Sequence, residues 1–231
     1  MLVYGRNVAK EVLQNPKNVK KVILQDGFDD KKINSLLEKC KFDIFYKKKT
    51  EMDNLCNGTH QGIILDIKDY QYSSLNDVCS SDSDFVVILD HLEDTHNFGA
   101  IIRTCVAAGV DGIVIPRDRS VSVNSTVMKT SVGAALNMKI AMVTNINHAI
   151  KYLKDHNYWV YASDMNGQLY TDVKYDGNIA IVIGNEGKGV SELALKSSDY
   201  VVSIPMSEKI ESLNASVAAG VIIYEAVRQR S

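Results

Sequence analysis

Short apolar runs alternate with longer amphipathic stretches through the last two thirds of the chain. Six of these runs have the length and composition of buried strands, at residues 85–89, 113–115, 139–143, 159–162, 179–183 and 200–204. The stretches that follow them predict helices, most clearly at residues 98–108 and 212–228. Strand–helix alternation of this kind gives a parallel sheet with helices on both faces. We therefore expect an α/β domain over residues 85–231.

Residues 1–70 show a shorter pattern of the same kind and predict a small α/β domain of their own. Strands are expected at residues 20–24, 42–46 and 63–67, with helices between them. Residues 71–84, QYSSLNDVCSSDSD, are polar and rich in Ser and Asp, which is typical of a linker.

The polar loops after three predicted strands are the first candidates for a site, because ligands of open parallel sheets bind outside the carboxyl ends of the strands. One loop, residues 184–189, reads GNEGKG, and its glycines would let the backbone approach a ligand closely. The others are residues 90–97 and the loop that begins at Pro205. A single glycine-rich loop is as often only a turn, but two that each close a buried strand favour a site.

Neither common nucleotide-binding motif fits the glycine-rich loop. A dinucleotide fingerprint needs a third glycine where this chain has Glu192. A P-loop needs a Lys followed by Ser or Thr, whereas Gly189 is followed by Val190. NAD in a Rossmann site and ATP in a Walker site are therefore disfavoured.

Two polar residues near the start of the 98–108 helix each have a structural and a functional interpretation. Asn97 has an ordinary explanation as the residue that caps the helix. Arg103 lies in an otherwise apolar run, and a charge in that setting needs either a partner or a function. A structural ion pair is the alternative to a functional role for Arg103.

The composition is that of an ordinary soluble globular protein, with 45% hydrophobic and 23% charged residues in a chain of 231. There is no run of about 18 apolar residues, so no membrane span is expected. The first residues lack the pattern of a signal peptide. The four cysteines are far apart, and we interpret them as free thiols in a reducing cytoplasm, with no metal site.

The net charge of −2 conceals an asymmetry along the chain. Residues 1–72 carry 13 Lys and Arg against 10 Asp and Glu, whereas the remainder is acidic. The basic residues include the run Lys47, Lys48 and Lys49, which could bind a phosphate-bearing partner. A solvated surface is the more common explanation of any single cluster of this kind.

Three segments together resemble the motifs of the SpoU/TrmH class of SPOUT RNA 2′-O-methyltransferases. They are DTHNFGAIIR at residues 94–103, IGNEGKG at 183–189, and IPM at 204–206 with SLNASVA at 212–218. This resemblance covers residues 85–231. In the N-terminal part, YGRN at 4–7 and THQG at 59–62 resemble the small substrate-binding domain of the subgroup that methylates a guanosine of 23S rRNA.

The resemblance implies a trefoil knot in the parallel-sheet domain, S-adenosylmethionine as the cofactor, and a homodimer. The small and apolar face of the C-terminal helix fits a dimer interface and a buried core equally well. The residues implied in cofactor binding are Gly184, Asn185, Gly187, Ile204, Pro205, Met206, Ser212, Leu213 and Asn214.

The catalytic residues implied by the resemblance are Arg103, Asn97, Glu186, Ser212 and Asn214. Because a guanidinium is a poor base, we expect Arg103 to hold the target phosphate and to stabilise the developing alkoxide.

Two residues depart from the usual motifs of the class, which has Pro in place of Thr95 and Gly in place of Glu208. The second departure bears on the backbone shape of the loop.

The expected function is methyl transfer to a ribose 2′-OH of a 23S rRNA guanosine. The small domain would bind the RNA through Tyr4, Arg6, Lys47, Lys48, Lys49, His60 and Gln61. A tRNA guanosine is the alternative substrate. A non-catalytic RNA-binding module of the same fold is the alternative of a different class, and the presence of the implied catalytic residues argues against it.

Overall fold

The computed structural model of the protein describes residues 1–56, 58–80, 84–207, 209 and 212–230. The strands in this part of the chain are β1 (Leu2–Tyr4), β2 (Val19–Gln25), β3 (Asp43–Lys47), β4 (Ile63–Ile67), β5 (Phe85–Leu89), β6 (Gly112–Pro116), β7 (Lys139–Val143), β8 (Tyr158–Leu169), β9 (Asn178–Ile183) and β10 (Tyr200–Ser203). Every strand predicted from an apolar run is present. Strand β8 continues well beyond its predicted end at residue 162, and β1 was not predicted.

The helices follow the predicted alternation with small shifts at their ends. They are α1 (Arg6–Gln14), α2 (Lys31–Glu38), α3 (Lys49–Asp53), α4 (Leu75–Val78), α5 (Thr95–Ala108), α6 (Ser125–Thr130), α7 (Ile146–Asp155), α8 (Glu192–Ser197) and α9 (Ala215–Arg230). Short 3₁₀ turns lie at Pro16–Asn18 and Ala134–Asn137. Helix α4 was not predicted, because its four residues lie in the polar segment interpreted as a linker.

The described residues form two compact units. The first lies within Met1–Gln71 and Val123–Asn137, and the second lies within Tyr72–Ser122 and Met138–Ser231. This division differs from the predicted one, in which residues 85–231 formed a single domain. The segment Val123–Asn137 packs with the first unit, where Asn137 donates a hydrogen bond to Glu11.

The predicted linker at residues 71–84 also differs from the structure. The backbone N–H of Ser73 donates to the carbonyl of Ile140, and Ser74 caps helix α4 through the N–H of Asp77. Val78 and Cys79 are buried in the core of the second unit. Much of this segment is therefore part of the second unit, because two apolar side chains within the polar run anchor it.

The first unit is built on a four-stranded sheet of order β1-β4-β2-β3. Strand β4 is antiparallel to both of its neighbours, whereas β2 and β3 are parallel. Asp30 caps the start of helix α2, because its carboxylate accepts the N–H groups of Lys32 and Ile33. Strand β4 supplies four buried apolar side chains to the core of this unit.

The second unit is built on a six-stranded sheet of order β10-β8-β9-β5-β6-β7, and every pair in it is parallel. This confirms the predicted α/β fold with a parallel sheet. Strands β5 and β9 lie side by side in the middle and are buried almost throughout, as continuous apolar runs predict. The predicted trefoil knot stays a prediction.

Gly109 and Gly167 are two positions of the second unit at which the backbone favours glycine. Gly109 ends α5 in the left-handed conformation, with φ of 74°. At Gly167 a Cβ atom would lie 2.6 Å from the backbone of Val201, because β8 and β10 approach each other closely there. The irregular register of these two strands at Val201 and Val202 leaves residues 163–167 of β8 outside the regular pairing.

No helix of the described chain has both the length and the apolar character that crossing a bilayer requires. The four cysteines have free thiols, and burial raises the pKa of Cys79 to about 11.

Candidate active site

A cavity of about 390 Å³ lies at the carboxyl ends of β8, β9 and β10 in the second unit. Its walls combine apolar side chains with peptide groups of the loops that follow these strands, as the strand-end rule predicts. Of the residues implied in cofactor binding, those that line the cavity are Gly184, Asn185, Gly187, Ile204, Met206, Ser212 and Leu213. Pro205 and Asn214 do not line it.

The glycine-rich loop is a tight turn held by the side chain of Asn185. The backbones of Asn185 and Gly189 exchange two hydrogen bonds, of 3.1 and 2.9 Å. The side-chain oxygen of Asn185 accepts the N–H of Gly187 at 2.9 Å, and its amide donates to the carbonyl of His91 at 2.8 Å. The Asn185 side chain therefore shapes the turn and ties it to the loop after β5.

Gly184 is the position of closest backbone approach in this turn. A Cβ atom there would lie 2.1 Å from the carbonyl carbon of Gly189 and 2.2 Å from the nitrogen of Val190. Real Cβ atoms do not approach backbone so closely, so only glycine allows the turn to fold back on β9. From the sequence alone, the glycines of this loop were explained by close approach to a ligand. The structure shows that Gly184 is also needed for close approach of the chain to itself.

A chain of three polar side chains borders the cavity. The amide of Asn214 donates to the side-chain oxygen of Asn97 at 2.9 Å, and the amide of Asn97 donates to Glu186 Oε1 at 2.9 Å. Asn214 also accepts the N–H and hydroxyl of Ser216 at the start of α9. The network thus joins the three segments that the sequence singled out.

The ordinary interpretation of Asn97 as a helix cap is wrong. Asp94 caps α5 instead, by accepting the N–H of Asn97 at 2.7 Å. The Asn97 side chain is therefore free to join Glu186 and Asn214. Thr95 is the first residue of α5, a position at which Pro is also favoured because its missing N–H has no helical partner.

Several peptide groups at the cavity have unused hydrogen-bonding capacity. Among the described residues, the backbones of Ile204, Met206 and Leu213 make no intramolecular hydrogen bond. Met206 and Leu213 also expose more than a third of their surface. Apolar side chains with unsatisfied peptide groups suit the faces and the edge of a heteroaromatic ring. Glu208, the other departure from the usual motifs, lies outside the described residues.

Arg103 is exposed on α5 and does not line the cavity. No ion pair or hydrogen bond to its guanidinium is found within the described part of the chain. The structural ion pair considered as its alternative role is therefore not formed with any described residue. The structure leaves Arg103 available to a partner outside the chain.

One wall of the cavity was missed by the sequence analysis. It is formed by Ser163, Asp164, Met165 and Asn166, which belong to the extended end of β8. The signal was present, since the rule that placed sites after strand ends also applies to the strand predicted at residues 159–162. Asp164 accepts the N–H of Asn166 at 2.9 Å and so fixes the local turn.

The first unit has a separate cavity of about 710 Å³, and the predicted RNA-binding residues that line it are Arg6, Lys49, His60 and Gln61. Gln61 receives the N–H of Arg6 on its side-chain oxygen at 2.8 Å, and its carbonyl accepts Arg6 Nε at 3.3 Å. The Arg6 guanidinium also stacks over Phe28, 5.1 Å from the ring centre. These contacts bring the YGRN and THQG segments together at one place in the first unit.

His60 has less capacity for recognition than the sequence suggested. Its ring is only 4% exposed, and both ring nitrogens are engaged. Nδ1 accepts the N–H of Gly62 at 3.0 Å, which places the proton on Nε2, 3.0 Å from Asp53. His60 therefore holds the turn together and has no ring nitrogen left for a base.

The three predicted lysines differ in their surroundings. Lys47 pairs with Glu51, and Lys49 pairs with Asp53 at 2.9 Å. The hydrogen bond from Lys49 lowers the pKa of Asp53 below its usual value. Lys48 is exposed and has no ion pair with a described residue. The remaining predicted residue, Tyr4, has the Lys129 ammonium over one face of its ring, 5.1 Å from the centre.

Both parts of the chain match the models of known protein families. Residues 84–224 match the model of the SpoU rRNA Methylase family, and residues 2–73 match the model for RNA 2′-O ribose methyltransferase substrate binding. The chain belongs to the SpoU rRNA methylase family. This confirms the family indicated by the three motifs. A Staphylococcus haemolyticus protein assigned to the TrmH family of tRNA/rRNA methyltransferases is 39% identical over 100% of this chain and 96% of its own length.

Solved structures of SpoU methyltransferases share the fold. AviRb from Streptomyces viridochromogenes, determined in complex with AdoMet, matches with a TM-score of 0.86 at 24% identity, over 100% of this chain and 90% of that chain. The TrmH/SpoU tRNA modifying enzyme of A. aeolicus matches with a TM-score of 0.59 at 31% identity, over 68% of this chain and 80% of that chain. The first match shows that the fold is shared over the whole chain.

Proposed function

We propose that this SpoU-family protein transfers the methyl group of S-adenosylmethionine to a ribose 2′-OH of RNA, on a guanosine of 23S rRNA. The observation that carries the proposal is the network of Asn97, Glu186 and Asn214 beside an apolar-walled cavity. Three segments far apart in sequence converge there, and each contributes one polar side chain to the network.

The cavity fits the cofactor in size and chemistry. Its volume of about 390 Å³ lies within the range of roughly 300–1,000 Å³ typical of small-molecule sites. The peptide groups of Ile204, Met206 and Leu213 are available to pair with the edge of an adenine, and Ile183 and Ile222 supply apolar walls. The cofactor supplies a sulfonium-activated methyl group when it is bound.

The acceptor hydroxyl needs alignment and a group that holds its proton. Glu186 uses Oε1 to accept from Asn97, and Oε2 has no partner among the described residues. That oxygen can accept a hydrogen bond from the 2′-OH, while Ser212 at the cavity wall orients the hydroxyl. Asn97 and Asn214 act by fixing the Glu186 carboxylate, since their own side chains already bond to each other.

Arg103 supplies the positive charge of the proposed reaction. Its guanidinium is exposed and has no intramolecular partner among the described residues, so it can bind a phosphate of the substrate with both ends of its fork. A cation beside the acceptor also stabilises the alkoxide that develops as the hydroxyl loses its proton. In this assignment Arg103 acts as a clamp and not as a base.

The first unit would recognise the RNA. Its cavity presents Arg6 and Gln61 at one end of the sheet, and the exposed Lys48 adds positive charge to the same unit. Unpaired bases are the usual targets of sequence-specific RNA binding, since they offer their faces and edges.

We further propose that the protein is a homodimer. Arg103 does not line the cofactor cavity of its own chain, and in a dimer its guanidinium can serve the cavity of the partner chain.

A tRNA guanosine is the second candidate substrate, favoured by the likeness to a tRNA modifying enzyme. The chemistry is tested by incubating the protein with S-adenosylmethionine and unmodified RNA and then treating the RNA with alkali. A 2′-O-methyl group protects the adjoining phosphodiester, so one resistant linkage is expected. Cofactor binding without any resistant linkage in rRNA or tRNA would contradict the proposal.

A further inference from the structure

A second cavity, of about 630 Å³, lies beside the first at the same edge of the six-stranded sheet. Its walls are the loops after β9, β5 and β6, whereas the first cavity lies after β10, β8 and β9. The Asn185–Gly189 turn is common to both cavities. Whatever binds in the second cavity is therefore separated from the proposed cofactor site only by this turn.

The second cavity carries positive charge. Arg119 and Lys188 line it, and neither forms an ion pair with any residue that the structure describes. Glu93 is an opposing carboxylate at its edge. Asp90 is also present but is 1% exposed, and its two oxygens are used by His91 and by the N–H of Ser191 at 2.8 Å. The charges available to a ligand are therefore mainly cationic.

His91 faces this cavity in a fixed orientation. Its Nδ1 lies 2.6 Å from Asp90 Oδ1, and the other carboxylate oxygen of Asp90 accepts the N–H of Ser191. Nε2 has no partner among the described residues. The buried carboxylate thus orients the imidazole, in the way that a carboxylate orients histidines at other functional sites.

Two residues of this cavity have backbone conformations that their side chains disfavour. His91 has φ of 56° and Arg119 has φ of 50°, and they are two of the five non-glycine residues with positive φ in the described chain. Glycine would adopt these angles without strain. Strained backbone that retains a functional side chain is typical of binding sites.

The loops that carry these residues are tied to one another. The N–H of Val121 and the hydroxyl of Ser120 both donate to the carbonyl of Leu92, at 2.9 and 3.2 Å. Asn185 binds the carbonyl of His91 from the other side. The cavity is therefore built from braced loops, so the backbone that carries its side chains is positioned before a ligand binds.

From these observations, and resting on the proposed function, we infer that the second cavity binds a phosphate of the RNA strand next to the methylated nucleotide. Arg119 would hold the phosphate with its guanidinium fork, with Lys188 as a second cation and His91 as a hydrogen-bonding partner. The volume accommodates a whole nucleotide unit and not only its phosphate. A transferase must hold its two reactants in adjoining sites, and two cavities that share a wall meet that need.

The test compares Arg119→Gln with Arg117→Gln in the full-length protein. Arg117 lies two residues away, is exposed and does not line the cavity. Its substitution removes the same charge from the protein as the substitution of Arg119 does. Affinity for unmodified 23S rRNA is measured between 50 and about 300 mM salt, together with cofactor affinity by calorimetry. We expect Arg119→Gln to weaken RNA binding roughly tenfold and to reduce the salt slope by about 0.7–1, as loss of one phosphate contact does.

Arg117→Gln should leave the salt slope and the RNA affinity close to the wild type, and cofactor affinity should be unchanged in both variants. Equal losses in the two variants would mean a general electrostatic effect and would overturn the inference, as would no loss in either. His91→Asn, which keeps a residue tolerant of positive φ, should also weaken RNA binding. These experiments measure binding of RNA and of the cofactor. Absence of methyl transfer by the wild type would therefore contradict the proposed function without deciding whether the second cavity binds phosphate.

Discussion

The amide of Asn97 donates a hydrogen bond of 2.9 Å to Glu186 Oε1, across 89 positions of sequence. Asn97 lies in the first turn of α5, and Glu186 lies at the tip of the turn after β9. The bond fixes one carboxylate oxygen and leaves the other toward solvent. This relationship defines the proposed role of each residue, with Glu186 contacting the acceptor and Asn97 positioning Glu186.

Replacing Asn97 with Ala removes both the bond to Glu186 and the acceptor for Asn214. We expect methyl transfer to fall about 10- to 100-fold, because misplacement of a reacting group by about 1 Å can cost that much. The loss should be in kcat, with cofactor affinity unchanged. His96→Ala is the matched control, since His96 is the exposed neighbour and its side chain forms no hydrogen bond or ion pair with a described residue. Equal activity of the two variants would contradict the positioning role.

Arg103→Ala tests the clamp. Methyl transfer should fall about 10²–10³-fold, the effect of removing one group that stabilises developing negative charge. Cofactor affinity, measured by calorimetry, should stay within a factor of about two because Arg103 does not line the cofactor cavity. Arg117→Ala removes a similar exposed charge from the same unit and should retain activity. Loss of cofactor binding in Arg103→Ala would refute this assignment.

Gly184 and Gly187 should respond differently to the same substitution. A Cβ at Gly184 meets backbone at 2.1 Å, whereas at Gly187 its nearest neighbour is Asn185 Oδ1 at 3.6 Å. Gly184→Ala should therefore lower the free energy of unfolding by about 1–3 kcal/mol or more, as overpacking does. Gly187→Ala should change it by less than about 0.5 kcal/mol. Chemical denaturation of both variants measures the difference, and similar midpoints would show that the turn can relax.

Glu225 gives a pH dependence of stability. Hydrogen bonds from Arg228 and then Gln229 lower its pKa from 4.5 to about 2 in the folded chain. The folded state therefore binds the proton less tightly than the unfolded state, so this contribution is present above pH 4.5 and is lost as pH falls toward 2. The free energy of unfolding of the wild type should decline over that window. Glu225→Gln should lack this component, and parallel curves for the two proteins would contradict it.

The sequence predicted the sheet well because buried parallel strands are continuous apolar runs, as at β5 and β9. It also predicted which loops would meet, because strand ends of a parallel sheet share an edge. It could not predict that Val123–Asn137 packs with the first unit, since that depends on tertiary contacts such as the one between Asn137 and Glu11.

Within the candidate site, residue types were easier to predict than residue roles. Glu186 and Ser212 line the cavity as expected, but the capping role assigned to Asn97 belongs to Asp94, three residues earlier. Either residue type can cap a helix, so the sequence does not distinguish them. His60 was a candidate for base recognition until its burial and its two hydrogen bonds were known.

The most direct test of the central claim is transfer of radiolabelled methyl from S-adenosylmethionine to RNA. Unmodified 23S rRNA and unmodified tRNA are supplied separately, and the labelled nucleotide is mapped in each. We predict label on the 2′-oxygen of a single guanosine of 23S rRNA and none on tRNA. Label on tRNA alone would retain the chemistry and contradict the substrate, whereas no label on either RNA, with the cofactor bound, would contradict the account as a whole.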